Sequence, residues 1–344
     1  MNIEKLVRKN ILELKPYSSA RDEFVGEAEI FLDANENPFP SPYNRYPDPL
    51  QRTLKNELSK IKRVDQTQIF LGNGSDEPID LLIRAFCEPS VDSILISPPT
   101  YGMYKVCADI NAVNIQVASL TPDFQIDLET ITSTIDNTTK IIFLCSPNNP
   151  SGNLLNEEDI KKIITTFNGL VVLDEAYIDF SSFVGFSQYL NQYPNLVILQ
   201  TLSKAWGLAG LRLGMCFASA EIIGILNKIK YPYNLNVSTQ SFVLEKLKHE
   251  NEIKKNISII LEERDQLRTV LSSLDFVKTV YPSDANFLLV KVTNAKNIYN
   301  QLMQKGIILR DRSNVTLCEN CLRITIGTPE ENKALIDNMK VITL

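Results

Sequence analysis

A chain of 344 residues, 44% of them hydrophobic, can bury one large core and a second, smaller one. Its 35 basic and 41 acidic residues leave a net charge of −6 without a basic block, which argues against nucleic acid or an anionic membrane surface as partner. Apolar runs such as Ile141–Cys145 are of core-strand length, far short of a membrane span, and the polar start MNIEKLVRKN shows no secretory apolar region, so the expected location is cytoplasmic.

Residues 1–30 read as an arm or short helix, broken at Lys15-Pro16-Tyr17 and expected to pack with the smaller domain. Leu32–Pro49, LDANENPFPSPYNRYPDP, holds five prolines and three asparagines and reads as a long loop of the kind that is often functional. A helix is expected over Leu50–Ile61 and a strand over Ile69–Leu71. Gly72–Phe86, GNGSDEPIDLLIRAF, is a glycine turn feeding a helix, with Ser75 as a natural N-cap and Asp76 and Glu77 in the first turn. Such a turn can seat an anion or simply cap a helix. It is not the dinucleotide fingerprint, because Glu77 stands where the third glycine belongs.

Further on, a strand at Ser93–Ser97 runs into PPTYGMY (98–104), and Ile141–Cys145 runs into SPNNPSG (146–152). A helix is expected over Glu157–Thr166, then a strand at Leu170–Leu173 ending in Asp174-Glu175-Ala176-Tyr177. The β-branched run Val197–Leu199 ends in TLSK (201–204), followed by the small-residue turn Gly207–Gly210 and Arg212. This alternation predicts an α/β domain over 31–250 with a mostly parallel sheet between helices. Every polar cluster in it follows a predicted strand, where ligands of such sheets gather. From about Glu250 a long amphipathic helix leads to strand-like NFLLVKV, GIILRD and CLRITIG, a smaller α+β domain over 251–344.

Lys204 at the end of a buried strand can have its ammonium pKa depressed, leaving a nucleophilic amine. With a hydroxyl (Ser203) and Arg212 close by, it has the makings of a Schiff-base lysine beside a phosphorylated aldehyde cofactor. The bland alternative is a surface lysine after a core strand. His249 is the only histidine and lies in polar KLKHENE, which speaks against Ser/His/Asp or Cys/His chemistry. Cys318 and Cys321 have metal or redox spacing but lack two further ligands nearby, so they read as reduced structural thiols and no metal is expected. Arg310 and Arg323 sit in apolar strand-like runs, where a guanidinium pairs either with an acid such as Asp311 or Glu319 or with an incoming anion.

The set SPNNPSG, DEAY and SKAWGLAGLRLG resembles fold-type I pyridoxal-phosphate aminotransferases. PYSSAR, DANENP, RYPDP, GNGSDE, PPTYGMY, YPYNLN, GIILRD and CLRITIGT resemble the histidinol-phosphate aminotransferase family within them, in family order from Tyr17 to Thr328. Ser151 and Trp206 stand where threonine and phenylalanine are commoner. The resemblance implies a pyridoxal 5'-phosphate cofactor held by Lys204 through a Schiff base, with Asp174 on the pyridine nitrogen. It places Tyr177 and Asn149 on the ring hydroxyl and Tyr101 on the ring face. Ser75, Asp76, Ser203 and Arg212 are implied for the phosphate, joined by Tyr46 from the other subunit of a homodimer. Arg323 is implied as the main substrate anchor, with Arg310, Tyr17 and Asn35 also toward the substrate. The activity implied is transfer of an amino group between histidinol phosphate and 2-oxoglutarate; an aromatic aminotransferase on the same scaffold, or a non-catalytic binder that keeps it, are the other readings.

Overall fold

The computed structural model describes residues 2–17 and 29–343. Its larger sheet comprises β1 (Ile69–Asn73), β2 (Ser93–Ile96), β3 (Asn114–Val117), β4 (Thr139–Cys145), β5 (Leu170–Asp174), β6 (Leu196–Thr201) and β7 (Leu213–Phe217). The spatial order is β1-β7-β6-β5-β4-β2-β3. From β6 to β3 every neighbouring pair is parallel, whereas β7 runs antiparallel to both β6 and β1. The expected mostly parallel α/β sheet is thus present.

Helices cover both faces, which is why the strands read as unbroken apolar runs. Ile142, Leu144, Leu173, Ile198 and Met215 pack into one cluster with the helices Arg52–Lys62 and Glu157–Thr166. Ile141, Phe143, Val172, Leu199 and Cys216 point to the other side, under Asp76–Phe86, Met103–Ile110 and Ala220–Ile229. The last residues of β4 and β5, Cys145 and Asp174, pair in register, and β6 runs two residues past Leu199, so the loops after these three parallel strands leave from the same side of the sheet.

The 23-residue helix Glu250–Ser272 leads into a second sheet, β8 (Val277–Val280), β9 (Phe287–Val292), β10 (Arg310–Asp311) and β11 (Cys321–Thr325), in antiparallel order β10-β11-β9-β8. Alternation sorts its residues. Leu288, Val290, Leu322 and Ile324 face the helices Ala295–Gln304 and Pro329–Met339. Phe287, Leu289 and Cys321 instead join the core cluster of the larger sheet, as does Cys318. Arg323, opposite Leu289 in register, lies on that inner face. A strand with one apolar and one mixed face therefore accommodates an arginine that looked misplaced in the sequence.

Of the N-terminal arm expected to pack with the smaller domain, the described residues 2–17 pack instead against the larger sheet's helices: Ile3 and Val7 are buried in one cluster with residues of Asp76–Phe86 and Ala220–Ile229. Arg8 pairs with Glu88 at 3.0 Å, and Lys228 Nζ donates to the Leu12 carbonyl at 2.8 Å. Ile3 opens a short 3-10 turn that ends at Leu6, and the extended Val7 after it enters the same cluster.

Gly214 shows how tightly the strand ends meet. A Cβ there would lie 2.1 Å from the Gly74 carbonyl carbon and 2.3 Å from the Ser75 nitrogen. Gly214→Ala should therefore force the turn after β1 outward at a cost of about 1–3 kcal/mol, measured by urea unfolding; a variant as stable as the parent would show that the turn yields freely.

Candidate active site

Where those strand ends converge, a cavity of about 330 Å³ opens, lined at one side by the turn after β1 and at the other by the inner face of the second sheet. Ser75 occupies the N-cap position of helix Asp76–Phe86, but its side chain makes no capping hydrogen bond, contrary to the sequence expectation. Its hydroxyl and the first-turn N–H groups are left for a ligand, as at other anion-binding helix ends. Arg212 stands over them. Gly74 donates its N–H to the Arg212 carbonyl at 2.8 Å and has φ +71°, and a Cβ on it would lie 2.6 Å from Arg212 Nη2. Glycine is thus what admits the guanidinium. Asp76 accepts from the Tyr101 hydroxyl at 2.9 Å and lies 3.6 Å from Arg212 Nη2. Ser203 Oγ accepts from Thr201 Oγ1 at 2.9 Å.

Deeper in, Asp174 closes β5 and is 2% exposed. It accepts from the Tyr104 hydroxyl at 2.7 Å and from the Ala176 N–H at 3.1 Å. No lysine or arginine lies within salt-bridge distance of it among the described residues. Burial pushes its carboxyl up to about 6, against the pull of those donors. Tyr177 packs edge-on to Phe287 with ring centroids 5.1 Å apart, and burial raises its phenol so that it remains a donor. Lys204 lies in the turn after β6, is exposed, and has its Nζ 5.5 Å from the Tyr177 ring centroid. Desolvation of the ammonium, and then the charge of Arg323, lower its pKa.

The far end is cationic. Arg310 on β10 faces Arg323 on β11 across the antiparallel pair, and Arg312 follows two residues on. Arg323 Nη1 donates to the Asn149 carboxamide oxygen, leaving that amide's NH2 for a ligand, and its guanidinium sits 5.3 Å from the Phe287 ring centroid. The internal ion pairs weighed from the sequence are not formed. Asp311 is engaged by the Ser313 N–H and hydroxyl at 2.9 and 2.6 Å, and no carboxylate lies within 4 Å of any of the three arginines among the described residues.

The structure therefore brings together Ser75, Asp76, Tyr101, Asn149, Asp174, Tyr177, Ser203, Lys204, Arg212, Arg310 and Arg323. Tyr17, Asn35 and Tyr46 stand apart from this cavity. Tyr17 is 73% exposed; Tyr46 stacks on Tyr233 at 4.4 Å beside a second hollow that Asn35 also lines. Two residues escaped the sequence reading. Tyr104 lies three residues after Tyr101, a helical spacing that puts both on one side, and Arg312 lies two residues after Arg310, the strand spacing for a shared face.

A buried carboxylate without a cation, a helix N-terminus with unspent donors beside an arginine, and a lysine between them fit a phosphorylated pyridine aldehyde. The sheet order sets that lysine and carboxylate at or just after the ends of neighbouring strands, facing one cavity. The chain belongs to the family "Aminotransferase class I and II", whose profile matches residues 32–339. It is 58% identical to the histidinol-phosphate aminotransferase of Parabacteroides distasonis over 343 residues, covering 100% of this chain and 99% of that one. In structure it is similar to the histidinol-phosphate aminotransferase of Clostridium acetobutylicum, with TM-score 0.80, 26% identity and 89% and 97% of the two chains covered. It shares the fold of the Sinorhizobium meliloti histidinol-phosphate aminotransferase in complex with pyridoxal-5'-phosphate, with TM-score 0.77 at 21% identity and coverage of 87% and 84%.

Asp174 gives a pH-dependent expectation. Its raised folded pKa means that, without cofactor, the folded chain retains a proton the unfolded chain has already released. The resulting destabilisation is absent below the unfolded value of 3.8 and complete once pH has risen through about 6. That interval corresponds to about 3 kcal/mol. Asp174→Asn should stabilise the cofactor-free protein by up to that amount at about pH 8 and very little near pH 4. Urea midpoints at the two pH values test it, and an equal effect at both would contradict it.

Proposed function

We propose that this chain is a pyridoxal-phosphate-dependent histidinol-phosphate aminotransferase, converting histidinol phosphate and 2-oxoglutarate to imidazole-acetol phosphate and glutamate, reversibly, in histidine biosynthesis. The observation that carries the reading is one cavity with a lysine and a buried, cation-free carboxylate at one end and three guanidiniums without acids at the other. The full-length relatives of that name agree with it.

Pyridoxal 5'-phosphate, when bound, supplies an electron sink for the substrate carbon that loses its proton. Asp174, held by Tyr104 and Ala176, would keep the ring nitrogen protonated. Tyr177 and Asn149 would donate to the ring hydroxyl, and Tyr101 would pack against the ring. Ser75, the Asp76 N–H, Ser203 and Arg212 would hold the phosphate. Lys204 would hold the cofactor covalently, and its Nζ, with a lowered pKa, would serve as the base that moves the proton of the substrate carbon.

Histidinol phosphate has no carboxylate and glutamate has two, so one anion end must accept phosphate and carboxylate in turn. Arg323 is the anchor for both, with Arg310 and Tyr17 at the phosphate end and Asn35 on the substrate side. In this proposal Tyr46 reaches the phosphate of the neighbouring subunit, so the enzyme is a homodimer with shared sites. Its location is cytoplasmic; no helix among the described residues is long and apolar enough to cross a membrane. The division into a cofactor domain over 31–250 and a smaller domain over 251–344 belongs to the same proposal.

Lys204→Ala should abolish turnover and the visible absorbance of lysine-bound cofactor, and wild-type-like turnover would remove the core of the reading. Tyr46→Phe should weaken cofactor retention by about 1.5–3 kcal/mol without unfolding the chain, read by dialysis of the holoenzyme. A panel of amino donors decides the substrate: histidinol phosphate should far exceed unphosphorylated histidinol, whose use would leave the arginines unpaired. A better rate on phenylalanine would point to an aromatic aminotransferase.

A further inference from the structure

We propose that Arg312 is a specificity-determining residue that makes the anion end select a phosphate dianion over a carboxylate. The inference rests on the proposed function, since it concerns how one substrate of that reaction is told from the other.

Arg312 follows β10, and its N–H bonds to the Cys321 carbonyl at 2.9 Å, so strand pairing continues one residue past the strand's end. Residues two apart on an extended chain share a face. Arg312 therefore stands beside Arg310, which faces Arg323 across the ladder, and all three line the one cavity. Like charges opposed on a sheet repel. Local acids do not offset them: Asp311 is engaged by Ser313, and Glu319 reaches none of the three. Arg312 Nε and Arg323 Nε are both buried without a hydrogen-bond partner. A buried donor left unpaired is costly, so the arrangement is one that a bound anion completes.

The number of guanidiniums matters. A carboxylate carries one charge, which a single bidentate fork balances. A phosphate monoester carries nearly two charges and three terminal oxygens, enough for more than one fork. Arg323 is already committed in part, through Asn149 and the Phe287 ring, and Arg310 is open to solvent. Arg312, half-buried and with no side-chain partner among the described residues, is surplus to a carboxylate and matched to a dianion.

The test is steady-state kinetics of the holoenzyme with each amino donor. Arg312→Gln should shift the ratio of kcat/KM for histidinol phosphate over glutamate by at least about tenfold against the phosphate ester. Most of that shift should fall in KM, and competition by inorganic phosphate against glutamate should weaken in parallel. Arg312→Lys keeps the charge but not the fork, so it should shift the ratio in the same direction by less. If the glutamine variant does not fold, the lysine variant supplies the same readout. An unchanged ratio, or equal losses on both donors, overturns the inference and leaves the proposed function standing. Failure of the parent enzyme to use histidinol phosphate overturns the function itself.

Discussion

Asp174 carries its charge to the centre of the molecule with two hydrogen-bond donors and no cation, and the larger sheet is arranged around that unfinished interaction. A buried carboxylate is tolerable only when something compensates it. The compensation has to arrive at the carboxyl end of β5, and parallel pairing of β4, β5 and β6 brings three loops to that point side by side. The antiparallel return of β7 does the rest. It sets Arg212 and Gly214 against the turn after β1, so the phosphate end and the carboxylate end share one edge of the sheet.

The cavity is polarised as a result. One end has an acid awaiting a cation, and the other has cations awaiting an anion. The second sheet supplies that other end because its inner face mixes apolar residues with arginine. Phe287 and Leu289 merge with the large core while Arg323 reaches past them to Asn149. Packing and recognition are thus carried by one strand face. Burial raises the pKa values of Asp174 and Tyr177, while partial desolvation and the charge of Arg323 lower that of the more exposed Lys204. One cavity thus sets several protonation states by different means.

Much of this was legible in the sequence, because parallel sheets place function after strands and the chain marks those places with turn residues. GNGSDE, PPTY, SPNNPSG, DEAY and TLSK all reach the cavity wall. What was not legible depends on side-chain direction. Tyr104 looks like a core aromatic, and it is one, yet its hydroxyl holds the key carboxylate. Arg312 sits in RDRSN, which reads as a solvated turn until pairing with Cys321 extends the strand. Ser75 has the residue type and position of a cap but not the bond. The groove taken by the arm's described residues was not legible because Ile3 and Val7 alone carry no pattern that selects one.

The order in which the site's parts occur along the chain has a consequence for its assembly. The seventh strand is complete at Phe217, and by then the helix end, the buried acid, the lysine and Arg212 have all been synthesised. The arginines of the second sheet come about a hundred residues later, roughly 5–20 s at ordinary rates of translation. The residues that line the cofactor end of the cavity are thus all synthesised before the arginines of its cationic wall. Because Phe287 and Leu289 of that later segment complete the large core, the wall and the core it rests on are finished together.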